Sequence, residues 1–288
     1  MLSRNFARVS AGVAVVLLTA GLVAAQTPVA APSNRYKPSE DVRLGREAAV
    51  EVQQQLPLLN DRQVRSTVAD IGQRLVRAIP GEFRHVEFRY TFDVVNVREI
   101  NAFALPGGPT FVNRGILEAV EDEGQIAGVL AHEISHVALR HGTAQATKAT
   151  KYQLGAIAGN ILGSIIGGVP GAVVAQGTQF GLGTAFLRFG REYERQADLL
   201  GAQIMARAGY DPRDMADMFR IIERESGSGG PEWLSDHPNP GNRYDAINRE
   251  ARLLGVSHSR RDTSAFVQMR ARLRRMAPAP TTREAVRR

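Results

Sequence analysis

The amino-acid sequence predicts an α+β fold in which helix far outweighs sheet, and three observations carry that expectation. Apolar residues recur at helical spacing along most of the chain. Only one stretch, from about Val86 to Val112, is dense in β-branched and aromatic residues, enough for a single small sheet. With 288 residues, 43% of them hydrophobic and 23% charged, the chain can bury a substantial core.

The N-terminus differs from the rest. Arg4 and Arg8 precede an uncharged run from Val9 to Ala25 that ends in the small residues Val23-Ala24-Ala25. This layout predicts a secretory signal peptide over residues 1–25, cleaved after Ala25, and hence an exported, periplasmic protein. The alternative is an uncleaved membrane anchor, but the run falls short of the ~20 residues that a spanning helix needs. Residues 26–38, rich in Pro, Ala and Ser, read as a flexible linker to a domain over 39–256. A basic helix and a disordered tail are expected over 257–288.

Within the domain, Val42, Leu44, Ala48 and Val52, then Val64, Val68, Ile71, Leu75 and Ile79, mark two helices separated around Pro57 to Asp61. Phe88 to Val97 reads as a strand and Asn101 to Ala104 as a second. Leu105-Pro106-Gly107-Gly108-Pro109 then interrupts the pattern before Thr110 to Val112, and its Pro and Gly place this region at a sheet edge. Asp122 to His141 is a strong helix, acidic at its start and with Gly142 placed to cap its end. No charged residue occurs from Tyr152 to Leu187, and Gly167 to Gly171 divides that stretch into the arms of a helical hairpin. Each arm is too short and too glycine-rich to cross a bilayer comfortably. Glu192 to Ala208, Arg213 to Glu225 and Asn242 to Leu254 complete the helices.

Composition excludes several chemistries. Without cysteine there is no disulfide framework, thiolate metal site or cysteine nucleophile. The net charge of +7 falls to +5 once Arg4 and Arg8 leave, and the remaining excess gathers near the C-terminus, in Arg252, Arg260, Arg261, Arg270, Arg272, Arg274 and Arg275. A solvated helix face with a weak peripheral attraction to anionic membranes follows. Nothing interleaves those charges with aromatics, so no nucleic-acid partner is expected.

The chemistry lies in His132-Glu133-Ile134-Ser135-His136, an H-E-x-x-H pattern inside a predicted helix. Residues four apart share a helix face, so both imidazoles converge on one ion. Glu133 then sits beside the ion without ligating it, where it can take a proton from the attacking water. A hydrolytic zinc site needs a third protein ligand and one open position. The extended template with a third His fails, because Leu139 stands where Gly is required and Gly142 where the His would be; His141, one position early, reads as a last-turn residue near the helix C-terminus. Glu194 from the later helix fits instead. Asp198, four residues on, faces the same way and can orient a ligating His. Glu192 competes as ligand, but its partner at the same spacing is only Gln196.

These residues, with Leu234-Ser235-Asp236-His237-Pro238-Asn239-Pro240 downstream, resemble the forty-eighth metallopeptidase family, which includes the CaaX prenyl proteases, the HtpX heat-shock proteases and the periplasmic BepA-like proteases. The resemblance spans about Asp41 to Leu254. It implies a zincin-like (gluzincin) catalytic domain, one catalytic Zn2+, endopeptidase activity on polypeptides, outer-membrane proteins among them, and a role in envelope protein quality control. It marks Asn101, Ala102, Phe103 and Ala104 as an edge strand that binds substrate beside the active-site helix. It also places His237 and Arg243 near the cleft, where either could donate to the oxyanion. The helical-repeat domain of the BepA-like proteins is not expected here, nor are partners that such repeats recruit. Two rival readings remain: a holdase chaperone with a structural zinc, and an integral-membrane metalloprotease.

Overall fold

The computed structural model describes residues 26–148, 189–224, 237–238, 241–256 and 262–286. The expected signal peptide, the uncharged hairpin from Tyr152 to Leu187 and most of the loop after Arg224 lie outside the described residues.

Two helices open the fold, α1 (Pro38–Gln55) and α2 (Arg62–Arg77). Strands β1 (Thr91–Val95), β2 (Ala102–Ala104) and β3 (Pro109–Asn113) follow, and then helices α3 (Arg114–Ala119), α4 (Glu123–Ala138) and α5 (His141–Lys148). After the undescribed stretch come α6 (Arg191–Ala208), α7 (Pro212–Arg224), α8 (Arg243–Leu254), α9 (Ser264–Leu273) and α10 (Thr282–Val286). Asp122 caps α4 by accepting from the Gln125 N–H at 2.9 Å, as its place before the apolar run predicts.

The sheet has the order β1-β3-β2, with β1 parallel and β2 antiparallel to β3. The segment after the Pro/Gly turn is therefore the central strand, contrary to the expected edge. Pro109 is tolerated because it is the first residue of β3, where its missing N–H costs no interior ladder bond. Both faces of the sheet are covered. Val94, Ala102 and Val112 join the main core beneath α2 and α4, whereas Val95, Phe103 and Phe111 join a second cluster with Leu44, Ala48 and Val52 of α1. The period of two along each strand produces this division.

Helix α4 is buried along its whole length, enclosed by α2, α6, α7 and β2. Two glycines let its neighbours approach. A Cβ at Gly128 would lie 2.6 Å from the Met215 Cα of α7, and one at Gly201 of α6 would lie 3.3 Å from the backbone at Ala131 and His132.

Three expectations need correction. Helix α4 ends at Ala138, not His141, and the left-handed residue that breaks it is Arg140 (φ 57°) rather than Gly142. Arg140 holds this strained conformation because its guanidinium is pinned, Nη2 donating to Asp41 Oδ2 and to the Tyr36 carbonyl, each at 2.6 Å. His141 consequently opens a new helix. Second, the segment before α1 is a strap rather than a tether: Thr27 N–H donates to Glu250 at 3.0 Å, Gln203 Nε2 to the Thr27 carbonyl at 2.7 Å, and Asn34 Nδ2 to Thr143 Oγ1 at 2.8 Å. Its extended backbone meets polar side chains that satisfy it, so docking outweighs flexibility. Third, the tail is ordered from 277 to 286, with Arg98 N–H donating to the Pro280 carbonyl and Thr282 N–H to Glu99, both at 2.9 Å.

Gly128→Ala forces α7 off α4 and is expected to destabilise the protein by about 1–3 kcal/mol, beyond the gain in helix propensity. Urea unfolding of the two purified proteins measures this, and an unchanged midpoint would mean that the helix contact is not tight.

Candidate metal centre

His132 and His136 project from one face of α4 and meet Glu194 from the first turn of α6. His237, on the described pair 237–238, completes the set. Among the described residues these four form the group whose donor atoms all lie within 4.8 Å of one another, and all four are buried. His132 Nε2 and His136 Nε2 stand 3.1 Å apart, and Glu194 presents its carboxylate 3.3 Å from the first and 3.4 Å from the second. His237 Nδ1 lies 3.1 Å from Glu194 Oε1 and 3.2 Å from His132 Nε2. Two or three imidazoles with a carboxylate, and no thiolate in the chain, make a donor set suited to zinc.

The surroundings hold these donors in place. His132 Nδ1 is 3.0 Å from Asp198 Oδ1, four residues beyond Glu194 on α6. Arg243, the first residue of α8 and fully buried, bridges the two carboxylates: Nε donates to Asp198 Oδ2 at 2.8 Å and Nη2 to Glu194 Oε2 at 2.6 Å. Its guanidinium also lies 4.3 Å above the Phe219 ring. The resemblance placed Arg243 near the cleft, where it could donate to an oxyanion; in the structure these nitrogens donate to Glu194 and Asp198. His237, placed near the cleft with Arg243, stands within the four-residue candidate donor group, its Nε2 3.5 Å from Glu133 Oε1.

Charge balance explains the electrostatics. Burial opposes protonation of His132, but hydrogen bonds that it donates to Asp198 and Glu194 outweigh it and push the imidazole up to about 9. Burial wins at His136, which is held well below the usual imidazole range despite Glu194. Glu194 would be raised by burial, yet His237, His136 and His132 around it hold it well below the usual carboxylate range.

Glu133 is buried beside the cluster but outside the four-donor set. Asn101 and strand β2 lie at the end of the sheet order, β2 packing on α4. Glu192 is exposed and turned to Arg195 and Gln196, away from the donors. His141 was missed as a site residue: its Nδ1 is 2.9 Å from His136 Nδ1. No sequence signal could have found it, because the break at Arg140 re-aims the side chain. Arg243→Leu leaves two buried carboxylates without their shared cation and is expected to destabilise the metal-free protein by about 3–5 kcal/mol, more than Arg243→Lys. Urea melts that place the two variants in the opposite order would contradict this account.

Comparison with known proteins agrees with this geometry. The model of Peptidase family M48 matches residues 62–251, from the start of α2 into α8. The beta-barrel assembly-enhancing protease of Escherichia coli (strain K12) is 33% identical over 200 residues, 67% of this chain and 40% of that protein. The mitochondrial metalloendopeptidase OMA1 of Bos taurus is 35% identical over 172 residues, 57% of this chain and 32% of that one. This chain therefore spans well under half the length of either relative. With the H-E-x-x-H motif on α4, Glu194 on α6 and the buried donor cluster inside the matched region, the chain belongs to Peptidase family M48.

Proposed function

We propose that this protein is a zinc-dependent metalloendopeptidase that cleaves exported polypeptides. One observation carries the reading: His132, His136 and Glu194 converge in a buried pocket with the Glu133 carboxylate beside them on the same helix. The two imidazoles and Glu194 would hold one zinc ion per chain. When bound, zinc supplies Lewis acidity that polarises the scissile carbonyl and eases proton loss from water. Glu133 accepts that proton and passes it to the departing amine. Asp198 fixes the His132 tautomer, and Arg243, donating to both carboxylates, holds Glu194 and Asp198 in register.

Strand β2 is the proposed substrate rail. Among the described residues its one ladder partner is β3, so an extended peptide that pairs with Asn101, Ala102, Phe103 and Ala104 would run along α4 past the cluster. No helix among the described residues is long and apolar enough to cross a membrane. The proposed compartment is the periplasm, supported by the leader-like residues 1–25. A role in envelope protein quality control, with outer-membrane polypeptides among the substrates, is supported by the similarity to beta-barrel assembly-enhancing proteases.

His237 favours a second reading. Four protein donors close a structural zinc site, which would suit a holdase chaperone, whereas a hydrolytic site keeps one position open. On the peptidase reading, His237 yields that position to the substrate.

Three measurements separate these readings. Glu133→Gln is expected to retain zinc and lose casein digestion, since an amide is no base; full activity would sink the mechanism. Glu194→Ala should lose most of its zinc on metal analysis while Glu192→Ala keeps it, and the reverse order would move the third ligand. His237→Ala should keep zinc and cleave casein at least as fast as the parent protein. A fall of about 10²–10³ in kcat would instead make His237 an oxyanion donor, and loss of zinc would favour the structural site.

A further inference from the structure

The two helical histidines are held by different partners. His132 Nδ1 faces a carboxylate, that of Asp198, but His136 Nδ1 faces another imidazole, that of His141, at 2.9 Å. His141 is completely buried and stacked on Tyr193 with ring centroids 4.4 Å apart and planes 4° from parallel. Its other nitrogen, Nε2, lies 3.0 Å from Gln196 Oε1. Gln196 in turn donates its amide Nε2 to Glu192 Oε1 at 3.1 Å, and Glu192 is forked by Arg195.

With His141 neutral, proton roles follow from this order. An ionised carboxylate can only accept, so the Glu192 contact fixes which end of the Gln196 amide is NH2. The amide oxygen that remains can only accept, so His141 carries its proton on Nε2. A neutral His141 then has a lone pair on Nδ1, and the bond between the two rings requires His136 Nδ1 to donate. His136 is left with its Nε2 lone pair aimed at the cluster.

We propose that His141 is a positioning residue for the metal centre, setting the tautomer and ring orientation of His136 through a relay that runs from Glu192 through Gln196. This rests on the reading of His136 as a metal ligand. The choice of a neutral acceptor has a physical reason. The pocket already holds Glu194 and Asp198 with Arg243 as their shared cation. A further buried carboxylate behind His136 would add an uncompensated charge, whereas a neutral imidazole orients the ring without one. Arg140 makes the arrangement possible, because its left-handed backbone starts α5 at His141 and turns that side chain back toward α4.

The test is zinc affinity of the full chain, measured by competition with a chromophoric chelator. His141→Phe keeps a ring against Tyr193 but removes the acceptor, and Gln196→Leu, at a half-buried position, removes the partner of His141. His141→Phe should bind zinc about 10–100-fold more weakly, with the unfolding midpoint of the metal-free protein little changed. Gln196→Leu should show a smaller loss in the same direction. In imidazole nitrogen NMR of the metal-free protein, His136 should shift from the Nδ1–H form toward the other tautomer in both variants, which a purely structural role would not produce. Affinities within twofold of the parent in both variants overturn the proposal, and if His141→Phe does not fold, Gln196→Leu decides by the same criterion. His136→Ala separates the underlying premise: parental zinc binding there would sink the ligand reading itself, whereas zinc loss confined to His136→Ala would sink only the positioning role.

Discussion

The structure depends on burying charge inside a helix that is closed off on every side. Helix α4 brings Glu133 and two imidazoles into the interior, and α6 adds Glu194 and Asp198 against them. Carboxylates in such a place are tolerated only when cations and hydrogen bonds replace water. Arg243 meets this need from a third helix, with one guanidinium serving both carboxylates in the planar geometry that Arg provides and Lys does not. The docking of α8 against α6 and α7 is thus tied to the charge balance of the candidate metal site.

Close packing sets the distances on which that balance relies. Gly201 brings α6 near the backbone of His132, and Gly128 brings α7 near the other flank of α4. Without these approaches, Glu194 and Asp198 would stand too far from the imidazoles to share protons with them. The sheet acts as a platform, and the faces of its strands divide between α1 and the α2/α4 side.

Segments that look dispensable also converge on the site. The strap before α1 ties α5, α6 and α8 together through Asn34, Gln203 and Glu250. Asp41 at the start of α1 pins Arg140, whose backbone turn presents His141 to His136. A network outside the cluster, in which buried Glu123 accepts from Tyr210 at 2.6 Å and pairs with Arg74 and Thr263, anchors the N-terminal end of the same helix.

Much of this was legible in the residues. Helical periodicity located α1, α2, α4, α6, α7 and α8 to within a few residues, because amphipathic spacing is a local property of the chain. The pair His132 and His136, the neighbouring Glu133 and the pair Glu194 and Asp198 were likewise legible, since a spacing of four on a helix fixes relative direction wherever the helix lies. What the tertiary structure alone decided involves partners far apart in the chain. The central place of β3, the turn at Arg140, the bridging of Glu194 and Asp198 by Arg243, the position of His237 among the donors and the contact of His141 with His136 all have this character. Each depends on how whole elements pack, and spacing within one element carries no information about the distance to another.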